Sequence, residues 1–134
     1  MRRTALIAAA VTVFAALAAA PASAGPSPWP PPRAAPAASV AHFAGSDCPA
    51  GALCLYRDRD FTGGGIALGP DTYVERLGDH GFDDRMSSWS NDTGQVCDWW
   101  TDEGRGGVIH DIRDGYRVNV LPGENDTASS VECW

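Results

Sequence analysis

Two short segments of the sequence combine acidic or amide side chains with serines at the same spacing. Each segment has two Asp or Asn residues, a gap of two, and two serines: Asp83, Asp84, Ser87 and Ser88 in one, and Asn125, Asp126, Ser129 and Ser130 in the other. Calcium prefers hard oxygen ligands, which carboxylates, hydroxyls, carbonyls and water together supply. Short acidic side chains followed by a hydroxyl can supply such oxygens from one loop, so each segment is a candidate calcium loop. The alternative is a pair of turns closed by side-chain to backbone hydrogen bonds.

No group of residues has the spacing of a catalytic centre. The histidines are His42, His80 and His110, and the last two each follow or precede an aspartate, a pairing that is common in an acidic sequence. Neither a G-x-S-x-G nor an H-E-x-x-H motif occurs, and no third ligand completes a histidine zinc site. The sequence therefore predicts a protein that is not an enzyme.

The N-terminus has the composition of a secretory signal peptide. Arg2 and Arg3 precede an apolar stretch over residues 5–20, and small residues at Ala22 and Ala24 prepare a cleavage site after residue 24. The alternative, a membrane anchor, requires about 20 apolar residues, which is more than this stretch has. Residues 1–24 are therefore predicted to direct secretion to the extracellular space, with no membrane attachment after cleavage.

The next segment is a predicted linker. Residues 25–45 are dominated by Pro and Ala, a composition that buries too little apolar surface to offset the entropy of ordering. We expect a semi-extended spacer there. The folded domain is placed at residues 46–134.

This domain is strongly acidic. It holds all 17 Asp and Glu residues but only seven of the ten Arg residues, and with no Lys in the chain its formal net charge is −10. Such a surface repels nucleic-acid backbones, so nucleic acid is excluded as a partner. The negative charge suits cation binding, although it also favours solubility alone.

Four cysteines lie in the domain, and none belongs to a CxxC pair. An even number of cysteines behind a signal peptide indicates two disulfides, whereas a zinc site needs ligands paired at short spacing. Three pairings are open, of which we favour Cys48–Cys54 with Cys97–Cys133. Bridges of these spans stabilise a fold by about 2 and 4 kcal/mol on the chain-entropy model.

The domain reads as two copies of one unit of about 43 residues, at about 46–91 and 92–134. An offset of 43 aligns Cys54 with Cys97, Tyr56 with Trp99, Gly63 with Gly106 and Tyr73 with Tyr116. After the loss of one residue, an offset of 42 aligns the two Asp/Asn and Ser segments. Matches at this many chemically special positions indicate a duplication.

Each copy has the pattern of short β-strands. Residues 52–56, 63–68, 72–77 and 87–90 of the first copy are predicted strands, separated by turn signals such as Gly69-Pro70-Asp71. Outside the signal peptide, no window holds helical periodicity for three turns. The prediction is an all-β sandwich of about eight antiparallel strands in two sheets.

The start of each copy resembles the βγ-crystallin signature. An aromatic, four residues, a second aromatic, one residue and a glycine follow one another as Tyr56, Phe61 and Gly63. The aromatics pack beneath a turn folded back on the sheet, and glycine supplies a backbone angle closed to other residues. The second copy keeps Trp99 and Gly106, but Gly104 replaces the second aromatic. The resemblance implies two Greek-key motifs.

The whole domain resembles the secreted peptidase inhibitor family I36, whose prototype inhibits metalloproteinases. Three strings carry the resemblance, namely residues 48–56 (CPAGALCLY), 83–89 (DDRMSSW) and 125–131 (NDTASSV). It implies a protein that binds and blocks an extracellular peptidase of the metallo class, and we expect a monomer. The alternative is a calcium-binding structural or stress module that has no protease target.

The resemblance also implies that the two acidic segments lie side by side and that each helps to hold a calcium ion. Its side-chain ligands would be Asp84, Ser87, Asp126 and Ser129, with Asp83 and Asn125 as further candidates. Because three carboxylates serve two sites and Arg85 lies within one loop, we expect weak affinity, on the order of 10⁻⁴ to 10⁻³ M.

An inhibitor of this kind needs a rigid exposed loop, since preorganisation lowers the ordering cost of binding. Residues 91–97 join the two copies and end at a cysteine, which makes Gln95 and Val96 the candidate inhibitory residues. The alternative is an ordinary linker between the two copies.

Overall fold

A computed structural model describes residues 39–134, so the predicted signal peptide and most of the predicted linker lie outside the described residues. Nine strands and three short 3₁₀ turns occur in this part of the chain, and no helix in it is long and apolar enough to cross a bilayer. The strands are β1 (Val40–Phe43), β2 (Leu53–Asp58), β3 (Thr62–Leu68), β4 (Tyr73–Val74), β5 (Ser88–Asn91), β6 (Cys97–Asp102), β7 (Gly106–Ile112), β8 (Arg117–Asn119) and β9 (Ser130–Cys133).

The strands form two antiparallel sheets, which confirms the predicted all-β architecture. The five-stranded sheet has the order β1-β3-β2-β5-β8, and the four-stranded sheet has the order β4-β9-β6-β7. The first half keeps β1, β2, β3 and β5 in one sheet, the second half keeps β6, β7 and β9 in the other, and each half passes one short strand, β4 or β8, to the other sheet. This exchange ties the two halves together, because neither sheet can form completely from one half.

The core lies between the two sheets and is made of alternating residues from both. It contains fully buried side chains from every long strand and from the turn after β4, where the chain must cross the end of the sandwich. The largest of them are Leu53, Leu55, Ile66, Leu68, Leu77, Phe82, Met86, Trp99, Ile112, Val120 and Val131. Burying each such side chain contributes about 1.5–3 kcal/mol, which is the main stabilising term for a domain of this size.

The two hairpins β2–β3 and β6–β7 have the same construction. Both have strands of six and seven residues around a 3₁₀ turn, and β2 and β6 have identical burial patterns. In both turns three residues have positive φ: Asp60, Phe61 and Gly63 at 58°, 60° and 78°, and Gly104, Arg105 and Gly107 at 62°, 64° and 73°. The structural equivalence is therefore an offset of 44.

The predicted offset of 43 is wrong by one residue in this part of the chain. Tyr56 corresponds to Trp100, not to Trp99, and Gly63 corresponds to Gly107. Cys54 corresponds to Asp98, so the two cysteines used as the anchor of the alignment are not equivalent. A slip of one residue exchanges the two faces of a strand, and Trp99 accordingly lies in the core while Trp100 packs against Trp134 outside it.

The same correction applies to Tyr73 and Tyr116, which the alignment paired. Tyr73 lies in β4 under the guanidinium of Arg105, 4.2 Å from the ring centroid, whereas Tyr116 is 58% exposed in the turn before β8. The start of β4 corresponds instead to Arg117, the start of β8. Beyond this point two residues are lost, and the predicted offset of 42 aligns β5 with β9.

The domain begins earlier than composition predicted. Val40–Phe43, inside the range assigned to the linker, forms β1 and pairs antiparallel with β3, with Val40 opposite Leu68. Val40 packs against the main core, and Phe43 covers Tyr56 with their ring centroids 5.1 Å apart. The predicted boundary at residue 45 is thus too late. The four residues of β1 are too few to change the composition of a segment that Pro and Ala dominate. β1 also raises the strand count from about eight to nine.

The two disulfides are those favoured from the sequence. Cys48–Cys54 closes a small loop over the outer face of β2, with Cα atoms 6.0 Å apart. Cys97–Cys133 joins residues directly opposite each other on β6 and β9, with Cα atoms 4.0 Å apart. The second bridge fixes the C-terminal strand to the middle of its sheet.

Candidate functional site

The two Asp/Asn and Ser segments lie side by side and are joined by their backbones. The N–H of Asp84 donates to the carbonyl of Ala128 at 3.0 Å, and the N–H of Asp126 donates to the carbonyl of Met86 at 3.0 Å. Asp84 and Asp126 have left-handed backbones, with φ of 50° and 56°. Aspartate tolerates this conformation better than most residues. The sequence pattern is therefore a pair of reciprocally bonded turns.

The second serine of each segment closes the neighbouring hairpin. Ser88 Oγ donates to the carbonyl of Asp58 at 2.7 Å and accepts from the N–H of Phe61 at 3.2 Å. Ser130 Oγ makes the same pair of bonds, to Asp102 at 2.7 Å and from Arg105 at 3.1 Å. Both serines are fully buried. These two positions of the motif are structural.

The carboxylates gather at an open depression over the two turns. Burial raises the pKa of Asp84, and the negative charges of Asp83, Asp126 and Asp102 raise it further, while a hydrogen bond with Ser129 opposes this. Asp84 thus reaches the serine of the other segment. Asn125 donates its amide to Asp126 Oδ2 at 2.8 Å. Arg57 and Arg85 also line the depression, which also contains Asp58.

The predicted calcium ligands are therefore brought together in part. Asp83, Asp84 and Asp126 line one depression, and Ser129 of the other segment lies near Asp84 and lowers its pKa. Ser87 is buried with its N–H donating to the carbonyl of Tyr56 at 2.9 Å. Within residues 39–134 no three or more His, Cys, Asp or Glu side chains are arranged as a metal cluster. A cation here would depend on hydroxyl, carbonyl and water oxygens besides the carboxylates.

The loop over residues 91–97 is held internally by one buried amide. Asn91 Nδ2 donates to the carbonyls of Gln95 and Ile112 at 2.9 and 3.1 Å. Its Oδ1 accepts from the N–H and the hydroxyl of Thr93 at 3.0 and 2.7 Å. Buried polar groups that are fully bonded in this way rigidify their surroundings.

The loop is also anchored from outside at several points. Gly94, with φ of 78°, donates its N–H to Asp114 Oδ1 at 2.8 Å, and Trp134 donates its N–H to the carbonyl of Val96 at 3.1 Å. The Gln95 amide is bonded on both sides to Asp71, at 2.8 Å from the backbone N–H and 2.6 Å to the carboxylate. The disulfide of Cys97 ends the loop.

The two predicted inhibitory residues consequently differ in what they can do. Gln95 is half-buried, and both ends of its side-chain amide are hydrogen-bonded to Asp71. Its role is therefore to hold the loop in position. Val96 is 47% exposed, and its side chain projects from a backbone fixed on both sides. The arrangement presents one apolar side chain on a rigid loop.

A groove at the open side of the sandwich was not predicted from the sequence. It lies between β7 and the β5–β8 pair and is lined by aromatic and charged side chains, among them Trp89, Trp99, His110, Tyr116 and Glu124. His110 stacks on Trp99 with ring centroids 4.0 Å apart, and its Nδ1 lies 3.2 Å from Glu124 Oε1. His110 and Asp111 point to opposite faces of β7, so their adjacency in sequence is no catalytic pair.

The outer face of the four-stranded sheet has a carboxyl pair that sequence reasoning also missed. Asp98 on β6 lies opposite Asp111 on β7 and opposite Glu132 on β9. Burial raises the pKa of Asp98 to about 6, and the charge and hydrogen bond of Asp111 and the charge of Glu132 add to the effect. Glu132 is held by Arg105 at 2.6 Å.

Two sheets that exchange a strand, with paired Asp/Asn and Ser turns, define a βγ-crystallin fold. A βγ-crystallin domain solved in work on the evolution of the eye lens fold is similar at 24% identity and a TM-score of 0.62, over 72% of this chain and 97% of that one. A mutant βγ-crystallin domain from Clostridium beijerinckii is 22% identical with a TM-score of 0.54, over 62% and 97%. A βγ-crystallin from Ciona intestinalis is 31% identical with a TM-score of 0.51, over 63% and 100%.

The sequence profile of peptidase inhibitor family I36 matches residues 41–112, more than half of the chain. The chain belongs to this family. The matched residues run from β1 to the end of β7 and include the loop over residues 91–97. No curated protein matches the chain significantly.

Proposed function

We propose that this protein is secreted and inhibits an extracellular peptidase, of the metallo class, without catalysing a reaction itself. Membership of the I36 family supports the inhibitor role in general. The observation that carries the specific proposal is the loop over residues 91–97, which has an internal amide brace, a disulfide at its end and Val96 exposed. A loop that is already ordered loses little entropy when a peptidase binds it, and a cleaved loop of this kind would stay in place.

Val96 is the contact residue in this proposal. An exposed apolar side chain on a rigid backbone can enter a specificity pocket of a peptidase, as anchor residues of other interfaces do. Gln95 keeps the backbone of Val96 in position through its two bonds to Asp71. The expected complex is one inhibitor with one peptidase.

The experiment is an inhibition assay of the secreted full chain against one extracellular peptidase of each catalytic class. We expect inhibition of a metallopeptidase, and a rise in its inhibition constant of roughly 100-fold for Val96→Asp, an anchor-residue effect. Leu121→Asp is the matched control, because Leu121 is an exposed apolar side chain (65%) away from the loop. Full activity of all peptidases at large molar excess of the protein contradicts the proposal.

We propose as a second property that the two acidic turns bind calcium weakly. The supporting observation is the excess of aspartates over arginines at the depression. Burial raises the pKa of Asp84, the neighbouring carboxylates raise it further, and a cation would offset this negative charge. Asp84, Asp126 and Ser129 would hold it from both segments, while Arg57 and Arg85 oppose it by their charge. A cation that binds only the folded state would stabilise the scaffold that positions the loop.

Calorimetric titration of the metal-stripped protein tests calcium binding. We expect a dissociation constant on the order of 10⁻⁴ to 10⁻³ M, loss of binding in Asp84→Asn and Asp126→Asn, and tighter binding in Arg85→Ala. Asp47→Asn removes an exposed carboxylate elsewhere and serves as the control. Absence of heat and of any thermal shift up to millimolar calcium contradicts this property and leaves the inhibitor proposal standing.

A further inference from the structure

The strand β7 is the longest edge strand in the described part of the chain. Within residues 39–134 it pairs only with β6, and the other edge strands β1, β4 and β8 have four, two and three residues against its seven. Val108 and Ile109 on β7 are 59% and 53% exposed. Natural sheets usually blunt a long apolar edge with short strands, charges or a covering element. An unprotected edge of this kind indicates an interaction surface.

In the first half of the domain, another strand covers the edge that is equivalent to β7. By the offset of 44, β7 corresponds to β3, and β1 lies along the outer edge of β3. Val40 stands opposite Leu68 and His42 opposite Ile66 in that pair. The matching positions on β7 are Ile112 and His110, and they have no such neighbour in the described part of the chain.

The β1–β3 pair therefore predicts the register of a strand that pairs with the outer edge of β7. Val40 turns inward and packs against the core. A strand in the same register on β7 would place its first and third residues towards the aromatic groove formed by Trp99, His110 and Tyr116. Apolar side chains can pack on the aromatic part of that groove, which Trp89, Trp99 and Tyr116 form beside the charged Arg113 and Glu124.

The opposite face of such a strand would meet negative charge. Its second residue would stand opposite Asp111, the equivalent of Ala67, beside the buried carboxyl of Asp98. A basic side chain there would be attracted by both carboxyl groups, in competition with Arg113, whose guanidinium lies 3.9 Å from Asp111 Oδ2, and the net negative charge of the domain acts in the same sense. The surface thus selects alternating apolar and basic residues.

We infer that the outer edge of β7, with its groove, binds an extended strand of the target peptidase by adding it to the four-stranded sheet. This inference rests on the proposed inhibitor function and adds a second contact to the loop over residues 91–97. Main-chain hydrogen bonds along the edge supply affinity, and the groove and Asp111 supply specificity. The turn after β7 adjoins that loop, since Asp114 accepts the N–H of Gly94, so the two contacts are neighbours.

The first test measures inhibition constants of the full secreted chain for Val108→Lys and Ile109→Lys, because an edge lysine disfavours strand addition. We expect each to weaken inhibition by roughly 10-fold or more, as interface hot spots do. The control is Ala41→Lys, which puts the same charge on the other exposed edge strand, β1. If the β7 variants inhibit as well as the wild type while Val96→Asp does not, the inhibitor function stands and the edge inference is wrong.

The second test does not require a peptidase. The tetrapeptide acetyl-Val-Lys-Val-Phe-amide is titrated into ¹⁵N-labelled protein, with acetyl-Val-Glu-Val-Phe-amide as its charge-reversed control. We expect shift changes confined to β7 and the groove, with the Glu peptide binding several-fold more weakly, on the order expected for one like-charge contact. Peptide binding without inhibition of any peptidase contradicts the proposed function and supports the edge.

Two outcomes overturn the inference in this second test. One is the absence of shift changes on β7 at millimolar peptide. The other is slow hydrogen exchange, in the free protein, of the β7 amides that do not bond to β6, which would mean that the edge is already covered. Analytical ultracentrifugation of the same sample then distinguishes the two possible covers of the edge. A dimer identifies a second copy of the chain, and a monomer identifies residues before Ser39.

Discussion

Asp98 is a buried carboxyl group whose neighbours on both adjacent strands are also carboxylates. Its pKa is raised from 3.8 to about 6 by burial first and by Asp111 and Glu132 next. The folded protein therefore holds this proton to higher pH than the unfolded chain does. The stability associated with the proton is fully present below about pH 4 and is lost as the pH rises through about 6.

The variant Asp98→Asn keeps a neutral side chain at every pH and can still bond to Asp111. We expect it to be more stable than the wild type by roughly 1–3 kcal/mol at pH 8 and close to it at pH 4. Urea unfolding at both pH values measures this, with the exposed Asp47→Asn as the control. A stability difference that does not change with pH would show that ionisation of Asp98 is not its cause.

Residues within the repeated Asp/Asn and Ser motif have separate roles. Ser88 and Ser130 close the hairpins by paired bonds, so these serines are required whether or not a cation binds. Asp84 and Asp126 carry the charge and the strained turn conformation. A match to the full motif in a sequence therefore indicates the fold more strongly than it indicates calcium.

The two hairpin turns have a glycine with positive φ at the same position, Gly63 in the first and Gly107 in the second. Gly63 and Gly107 have φ of 78° and 73°, and a Cβ atom would meet the side chain of Asp58 at the first and Thr101 at the second. Both strain and overlap oppose any larger residue there.

We expect Gly63→Ala and Gly107→Ala each to lower the free energy of unfolding by roughly 1–3 kcal/mol. Gly123→Ala is the control, because its added Cβ meets nothing within 4 Å and its φ is not positive, so its effect is expected to stay within about 0.5 kcal/mol. Equal, small effects at all three positions in chemical denaturation would contradict this account of the turns.

The strand β1 belongs to the domain through its packing. Phe43 lies edge-on to Tyr56, which Phe61 contacts from another side at 5.8 Å between centroids. Together with the loop of Cys48 they cover the outer face of β2 and β3.

Phe43→Ala is expected to destabilise the domain by roughly 1–3 kcal/mol, less than for a fully buried Phe because Phe43 is only half-buried. The loss is measured by thermal unfolding against Leu121→Ala, which removes an exposed side chain of similar polarity. Wild-type stability of the Phe43→Ala protein would show that packing of residues 40–43 does not stabilise the domain.

At the scale of the whole molecule, two disulfides supplement a thin core. Cys97–Cys133 closes a span of 36 residues and Cys48–Cys54 a span of 6. We expect removal of the first pair, as the Cys97→Ala, Cys133→Ala protein, to cost about 4 kcal/mol and removal of the second about 2 kcal/mol. Calorimetric unfolding of the two double variants checks the order, and a larger loss for the short loop would contradict the chain-entropy account.

Strand positions and the pair of acidic turns could be read from the sequence because they rest on local chemistry. The predicted strands at 52–56, 63–68 and 87–90 overlap β2, β3 and β5, where apolar residues and turn-forming glycines alternate. The reciprocal turns follow from Asp, Asn and Ser side chains that bond to nearby backbone in any such segment. The β-sandwich class follows from the same short-range signals.

The register of the repeat could not be read in this way. Cys54 and Cys97 match by residue type but lie on opposite faces of their strands, since one closes a loop outside the sheet and the other sits in the core. Which face a residue takes is decided by its partner across the fold, here Cys48 or Cys133. A period of two residues gives no means of choosing between two registers that differ by one.

The sequence by itself determined the class of fold, the acidic character, the number of disulfides and the turns that carry oxygen ligands, because each depends on residue type or on spacing within one segment. Only the tertiary structure decided that β1 covers one edge while β7 pairs with β6 alone among residues 39–134, and that Asp98 faces two other carboxylates. It also decided that Val96 is free while Gln95 is bound to Asp71. These features arise between segments far apart in the chain, and their energies depend on distances that no local pattern contains.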